Sequence, residues 1–118
     1  MSNSPLSQVA HLLQNSNYIE AEAMLWDLLS KSKGDFTLLK TLGLTLLLQN
    51  KYPGSAKVYL EAYQINSNDF DVVNNLAHLY LKSEEFQKAY DLALAAKKID
   101  DSKNQPYITL LDLKLRKR

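Results

Sequence analysis

The chain has 118 residues, 46% apolar and 23% charged, the balance of a globular domain with a buried core. A net charge of +1 provides no general field toward nucleic acid or an anionic membrane. The absence of cysteine excludes disulfides, thiolate metal sites and cysteine nucleophiles, and fits a cytoplasmic protein.

The N-terminal stretch MSNSPLSQVAHLLQ lacks a basic segment followed by a long apolar run, so it does not read as a secretory signal. Apolar positions along the chain recur at three and four, which predicts helices rather than strands. QNSNYIEA reads as the start of a helix. The leucine-rich window from Leu42 to Leu48 is far shorter than the roughly 20 residues that cross a bilayer. Within it stands Gly43, which costs roughly 1 kcal/mol relative to alanine in a helix interior. That helix is expected to end near Gln49 and the next to begin near Tyr52. Pro53 and Gly54 then fall in a first turn, where proline forfeits no helical hydrogen bond. In SEEFQKA, Ser83 is the expected cap, with Glu84 and Glu85 beside a helix N-terminus. NQPYITLLDLKLRKR reads as a seventh helix. Asn104 is its expected cap, Pro106 lies in its first turn, and Tyr107, Leu110 and Leu111 share a face.

Sliding the sequence by 34 residues superposes Tyr18, Tyr52 and Phe86, and likewise Ala21, Ser55 and Ala89. Phe36 falls on Phe70, Leu42 on Leu76 and Ile65 on Ile99. Gly43 falls on Ala77 and, one period earlier, on Val9. Antiparallel helix pairs explain this if their axes approach closest where side chains are smallest, at Gly43 with Ser55 and at Ala77 with Ala89. Close packing then offsets the local cost of Gly43. The expected architecture is all-α: an α-solenoid of three helix–turn–helix units, about residues 2–35, 36–69 and 70–103, and a capping helix over about 104–118.

The pattern resembles the tetratricopeptide repeat (TPR), a helix–turn–helix unit of about 34 residues. The third unit carries the resemblance in Leu76, Ala77, Tyr80, Phe86, Ala89 and Ala96, and departs from it at Val73, Ala93 and Asp101. The second carries it in Leu42, Gly43, Tyr52, Tyr59 and Ala62, with Ser55 where alanine is usual. The first is degenerate in its first helix but keeps Tyr18 and Ala21, as an end repeat does. The rival pentatricopeptide repeat has a longer period and a basic RNA-reading surface, which this chain lacks.

The resemblance implies a right-handed superhelix whose concave side is lined by the first helix of each hairpin. It points Thr37, Lys40, Thr41, Leu44, Leu47 and Leu48 there from the second unit. From the third it points Asp71, Asn74, Asn75, His78, Leu81 and Lys82, with Gln105, Ile108 and Asp112 added by the capping helix. Leu44, Leu48 and Leu81 make an apolar strip in an otherwise polar groove.

Residues that could carry chemistry are sparse. His11 and His78 have no metal-ligand partner at helical spacing. Asp100 and Asp101 lie where a turn is expected, and a calcium loop needs more carboxylates and a glycine. The pairs Glu20/Glu22 and Glu84/Glu85 complement helix N-termini, and the basic KLRKR suits a helix C-terminus. No catalytic residue, cofactor or metal is expected.

The expected function is therefore a non-enzymatic protein–protein interaction module, a cytoplasmic scaffold or adaptor. It would hold a peptide or helix of another protein with Lys40, Leu44, Leu48, Asp71, Asn74, Asn75, His78 and Leu81. Neither nucleic acid nor membrane is an expected partner. Some TPR domains clamp the C-terminal carboxylate of large chaperones. Lys40 and Asn75 match that clamp, whereas Leu44, Gln105 and Ile108 do not. Two other readings stay open. The chain could be the N-terminal recognition domain of a longer enzyme, such as a glycosyl- or sulfotransferase, with its chemistry beyond Arg118. It could equally be a small chaperone resembling those that hold secretion substrates, which predicts a homodimer.

Overall fold

The computed structural model describes residues 4–103 and 105–116, and among these every regular element is helical. In chain order they are α1 (Pro5–Gln14), α2 (Tyr18–Lys31), α3 (Phe36–Leu48), α4 (Tyr52–Ile65), α5 (Phe70–Lys82), α6 (Phe86–Ile99) and α7 (Gln105–Arg116). The expected cap Asn104, the side chains of Gln105 and Pro106, and the terminal Lys117 and Arg118 lie outside the described residues.

Local chemistry sets the helix starts. Asp35 accepts from the Leu38 N–H at 3.0 Å and Asp69, one period later, from the Val72 N–H at 3.1 Å. Each satisfies a donor that the helix itself leaves free. Ser4 does the same for α1 through the Ser7 N–H, with Pro5 in the first turn.

The three hairpin turns close identically. The N–H groups of Asn17, Lys51 and Glu85 donate to the carbonyls of Leu12, Leu46 and Tyr80 at 2.8, 2.9 and 2.9 Å. Between them Ser16, Asn50 and Glu84 take φ values of 59°, 60° and 62°. These are Schellman motifs built without glycine, at roughly 1–2 kcal/mol per left-handed residue. Ser83 consequently closes α5 instead of capping α6. Its hydroxyl donates to the Tyr80 carbonyl at 3.1 Å and the Glu85 carboxylate at 2.9 Å. Glu84 is used up by the turn.

Two compact units divide the chain, one reaching Ala62 and the other beginning at Tyr63. In the first, α2 packs on α1 and α3, around a core that includes Val9, Ala21, Leu25, Leu42 and Tyr59. Gly43 is buried, and a Cβ there would stand 2.9 Å from three atoms of the Tyr59 ring. The Ser55 hydroxyl donates to the Gly43 carbonyl at 2.7 Å. The flat Tyr59 ring leaves no room for a Cβ at position 43, and the serine bond ties α4 to the α3 backbone at the same point. In the second unit α6 packs between α5 and α7. Ala77, Ala89, Ala93, Ile108 and Leu111 form its buried cluster, flanked by Tyr80, Leu81, Tyr90 and Tyr107. Here Ala77 replaces Gly43 and Ala93 replaces Tyr59, one period on, so the added methyl meets a smaller neighbour.

Candidate functional site

On α3 the residues Leu38, Leu39, Leu42 and Leu46 are buried, whereas Leu44 and Leu48 remain 39% and 45% exposed. They are four residues apart and share one helix face with the half-buried Lys40 and Thr41. The Thr41 hydroxyl donates to the Thr37 carbonyl at 2.7 Å and that of Thr45 to the Thr41 carbonyl at 2.8 Å. Their hydroxyls are thereby occupied within the helix. Leu47 is half-buried. On α1, one period earlier, Ser7, Ala10 and Gln14 line an open depression together with His11. These three stand one period before Thr41, Leu44 and Leu48, a signal already available in the repeat.

In the second unit, α5 presents exposed Asp71, half-buried Asn74 and Asn75, and exposed His78. Lys40, Asp71, Asn74, Asn75 and Lys82 each already have an interaction within the protein. The His78 ring stacks on Tyr107 of α7, with centroids 4.2 Å apart and planes 23° from parallel. Although the residue has an exposed edge, partial burial of the imidazole, and after it the charge of Lys82, holds its pKa below the ordinary value. Burial pushes the Tyr107 phenol far up, and its hydroxyl has no hydrogen-bond partner among the described residues. Leu81 packs against the Ala77–Leu111 cluster, so less of it faces outward than of Leu44 or Leu48.

The capping helix differs from its expected phase. Four residues separate Ile65 from Phe70, but five separate Ile99 from Gln105. One added residue turns a helix by about 100° relative to its place in the period. Ile108 and Leu111 therefore take the buried positions of Val73 and Leu76, and Ile108 cannot line a groove. Leu110 does not share a face with Leu111: it is 44% exposed, and Leu113 is 50% exposed. Thr109, Leu110 and Leu113 stand where Asn74, Asn75 and His78 stand on α5. The sequence carried a sign of this, because Asn104 falls one residue later than the phase of Asp35 and Asp69.

The remaining charged groups have local roles. Glu22 on α2 accepts from Lys51 at 2.8 Å, Gln49 at 3.0 Å and the Trp26 indole at 2.9 Å. Chiefly through Lys51, these bonds hold its carboxyl below the ordinary range. Asp100 accepts from the Ser102 hydroxyl at 2.6 Å and pairs with Lys103 at 3.3 Å. Arg116 pairs with Asp112 at 3.0 Å, and Lys114 lies over the Phe86 ring. His11 contacts Asn15 at 3.2 Å. Among the described residues no three His, Asp or Glu side chains converge to hold a metal, and no helix is long and apolar enough to cross a membrane.

No family model and no curated protein sequence matches the chain. Solved structures do. The type III secretion chaperone SycD of Yersinia enterocolitica, in complex with a peptide of the translocator YopD, superposes with a TM-score of 0.76 at 16% identity, covering 96% of this chain and 85% of that one. The first TPR domain of Spaghetti bound to an HSP90 peptide superposes with a TM-score of 0.87 at 8% identity, covering 93% and 89%. The Sgt2 TPR domain of Aspergillus fumigatus gives 0.81 at 10% identity, covering 93% and 76%. The chain has the TPR fold. Two sequences sharing so few residues can reach one TPR backbone because the fold constrains side-chain size at a few positions per repeat and little else.

Proposed function

We propose that this TPR protein is an interaction module that holds a peptide or helical segment of a partner protein on the first helix of each hairpin. Lys40, Leu44 and Leu48 of α3 would receive it in one unit. Asp71, Asn74, Asn75 and His78 of α5, beside Leu81 and the outward Leu110 and Leu113 of α7, would receive it in the other. The observation that carries this is the exposure of Leu44 and Leu48 on a helix whose other core leucines are covered. Paired leucines a helical turn apart suit the apolar side chains of an amphipathic segment, and the asparagines offer donors and acceptors for its backbone. The peptide complexes of SycD and Spaghetti support such a role for this fold.

The Spaghetti peptide, SRMEEVD, is not the expected ligand type. Leu44 and Ile108 bring no charged or amide donor to such a clamp, and Ile108 is buried. A secretion-type chaperone is the second reading, favoured by the SycD likeness over nearly the whole chain. Calorimetric titration with amphipathic peptides carrying apolar residues at i and i+4 tests both. Binding should weaken about tenfold, roughly 1.4 kcal/mol, in Leu44→Asp and in Asn75→Ala. SRMEEVD should give no heat. Unchanged affinity in both variants would refute the assignment.

A further inference from the structure

Among the side chains assigned to the peptide surface of the second unit, His78 alone titrates near neutral pH. One face of its imidazole lies on the Tyr107 ring, with centroids 4.2 Å apart, yet the residue stays exposed. A covered face and an open edge thus belong to the same ring. Imidazole nitrogens lie on the edge, so a ring held by its face leaves them available to a ligand. Among the described residues the His78 ring makes this stack and no hydrogen bond. Tyr107 is anchored in turn, because it packs against the Ala77–Leu111 cluster. Its hydroxyl is buried without a partner among the described residues, so the hold on His78 is exerted by the ring.

The surroundings favour an uncharged imidazole. Lys82, one turn later on α5, is the charge that acts on it, and it opposes protonation, as does burial. Asp71 lies two turns earlier on α5. On α7 Asp112 pairs with Arg116 at 3.0 Å, and Lys114 lies over the Phe86 ring. On α6 Lys88 pairs with Glu85 at 3.1 Å. A neutral imidazole offers one donor and one acceptor, the same pair that a backbone amide offers. An imidazolium has two donors and no acceptor, and suits a carboxylate instead. Asn74 and Asn75, one turn earlier on the same stripe, also present donor and acceptor together.

We propose that Tyr107 is a positioning residue of the peptide surface. Its ring clamps the His78 imidazole by one face, so that the free edge pairs with an uncharged backbone amide of the bound segment rather than with a carboxylate. This rests on the peptide surface proposed above. Binding then requires neutral His78: it is complete above the imidazole pKa and is lost as pH falls through it. Since the clamp holds that pKa down, binding persists into more acid solution than an unclamped histidine would allow.

The test is calorimetric titration of the full chain with an amphipathic peptide blocked at both ends and free of Asp, Glu and His. A His11→Gln background removes the other histidine. Affinity should fall about fivefold between about pH 7.5 and about pH 5. His78→Gln, which keeps an amide donor and acceptor, should bind equally at both. In the free protein, NMR of the His78 ring protons should give a midpoint below the ordinary histidine value of about 6.5. Tyr107→Phe should keep that midpoint. Tyr107→Ala, with its fold checked by circular dichroism, should raise it and move the binding midpoint upward with it. An unmoved midpoint in folded Tyr107→Ala would overturn the clamp. Affinity that is flat or rises in acid, or an equal fall in His78→Gln, would overturn the amide pairing whether or not Tyr107→Ala folds. No peptide binding at any pH would refute the peptide surface, and this inference with it.

Discussion

At Gly43, local propensity and tertiary packing oppose each other, and the distances show which dominates. An alanine there would gain roughly 1 kcal/mol of helix propensity. Its Cβ, however, would meet Tyr59 at 2.9 Å in a ring that is itself buried. Overpacking of that kind typically costs about 1–3 kcal/mol. Gly43→Ala should therefore destabilise the protein by about 1 kcal/mol, read as a lower midpoint in urea denaturation. Gly43 was legible as a packing glycine, because the period places small residues opposite it. The identity of the group against it was not: Tyr59 lies sixteen residues away, and only the helix crossing brings its ring face onto the glycine.

Among elements, the tie between α2 and the α3–α4 turn rests on Glu22, whose partners Gln49 and Lys51 are 27 and 29 residues distant. Its carboxyl is held below its unfolded value, so the folded state binds fewer protons there. The associated stability is complete above the ordinary glutamate pKa and is lost as pH falls through the lower folded one. In chemical denaturation Glu22→Gln should be less stable than wild type at neutral pH, and the gap should close in acid. Equal differences at both pH values would contradict this. The helices themselves were readable from caps, turns and apolar spacing. The face presented by α7 was misjudged, since one extra residue after Ile99 rotates Leu110 and Leu113 outward and Ile108 inward. Charge alone did not reveal that Ser83 would terminate α5, because its neighbour Glu84 adopts a left-handed conformation that a glutamate seldom takes.

For the molecule as a whole, each unit has its own buried cluster, and repeat proteins gain stability mainly from nearest neighbours. Leu111 is fully buried among Ala77, Ala89 and Ala93. Leu111→Ala should cost about 2–4 kcal/mol. Far-UV circular dichroism should then fall at a lower denaturant concentration than the emission change of Trp26, which belongs to the first unit. Coincident shifts of both probes by the same amount would show that the units unfold as one.

The sequence by itself determined the helical period, the positions reserved for small and aromatic side chains, and the polar caps, because each depends on neighbours within about one turn or one hairpin. Tertiary structure alone decided which leucines are covered, that Leu81 packs while Leu44 faces out, and which side of α7 is presented. Those outcomes depend on where a neighbouring helix lies, and a single added loop residue is enough to turn a whole helical face.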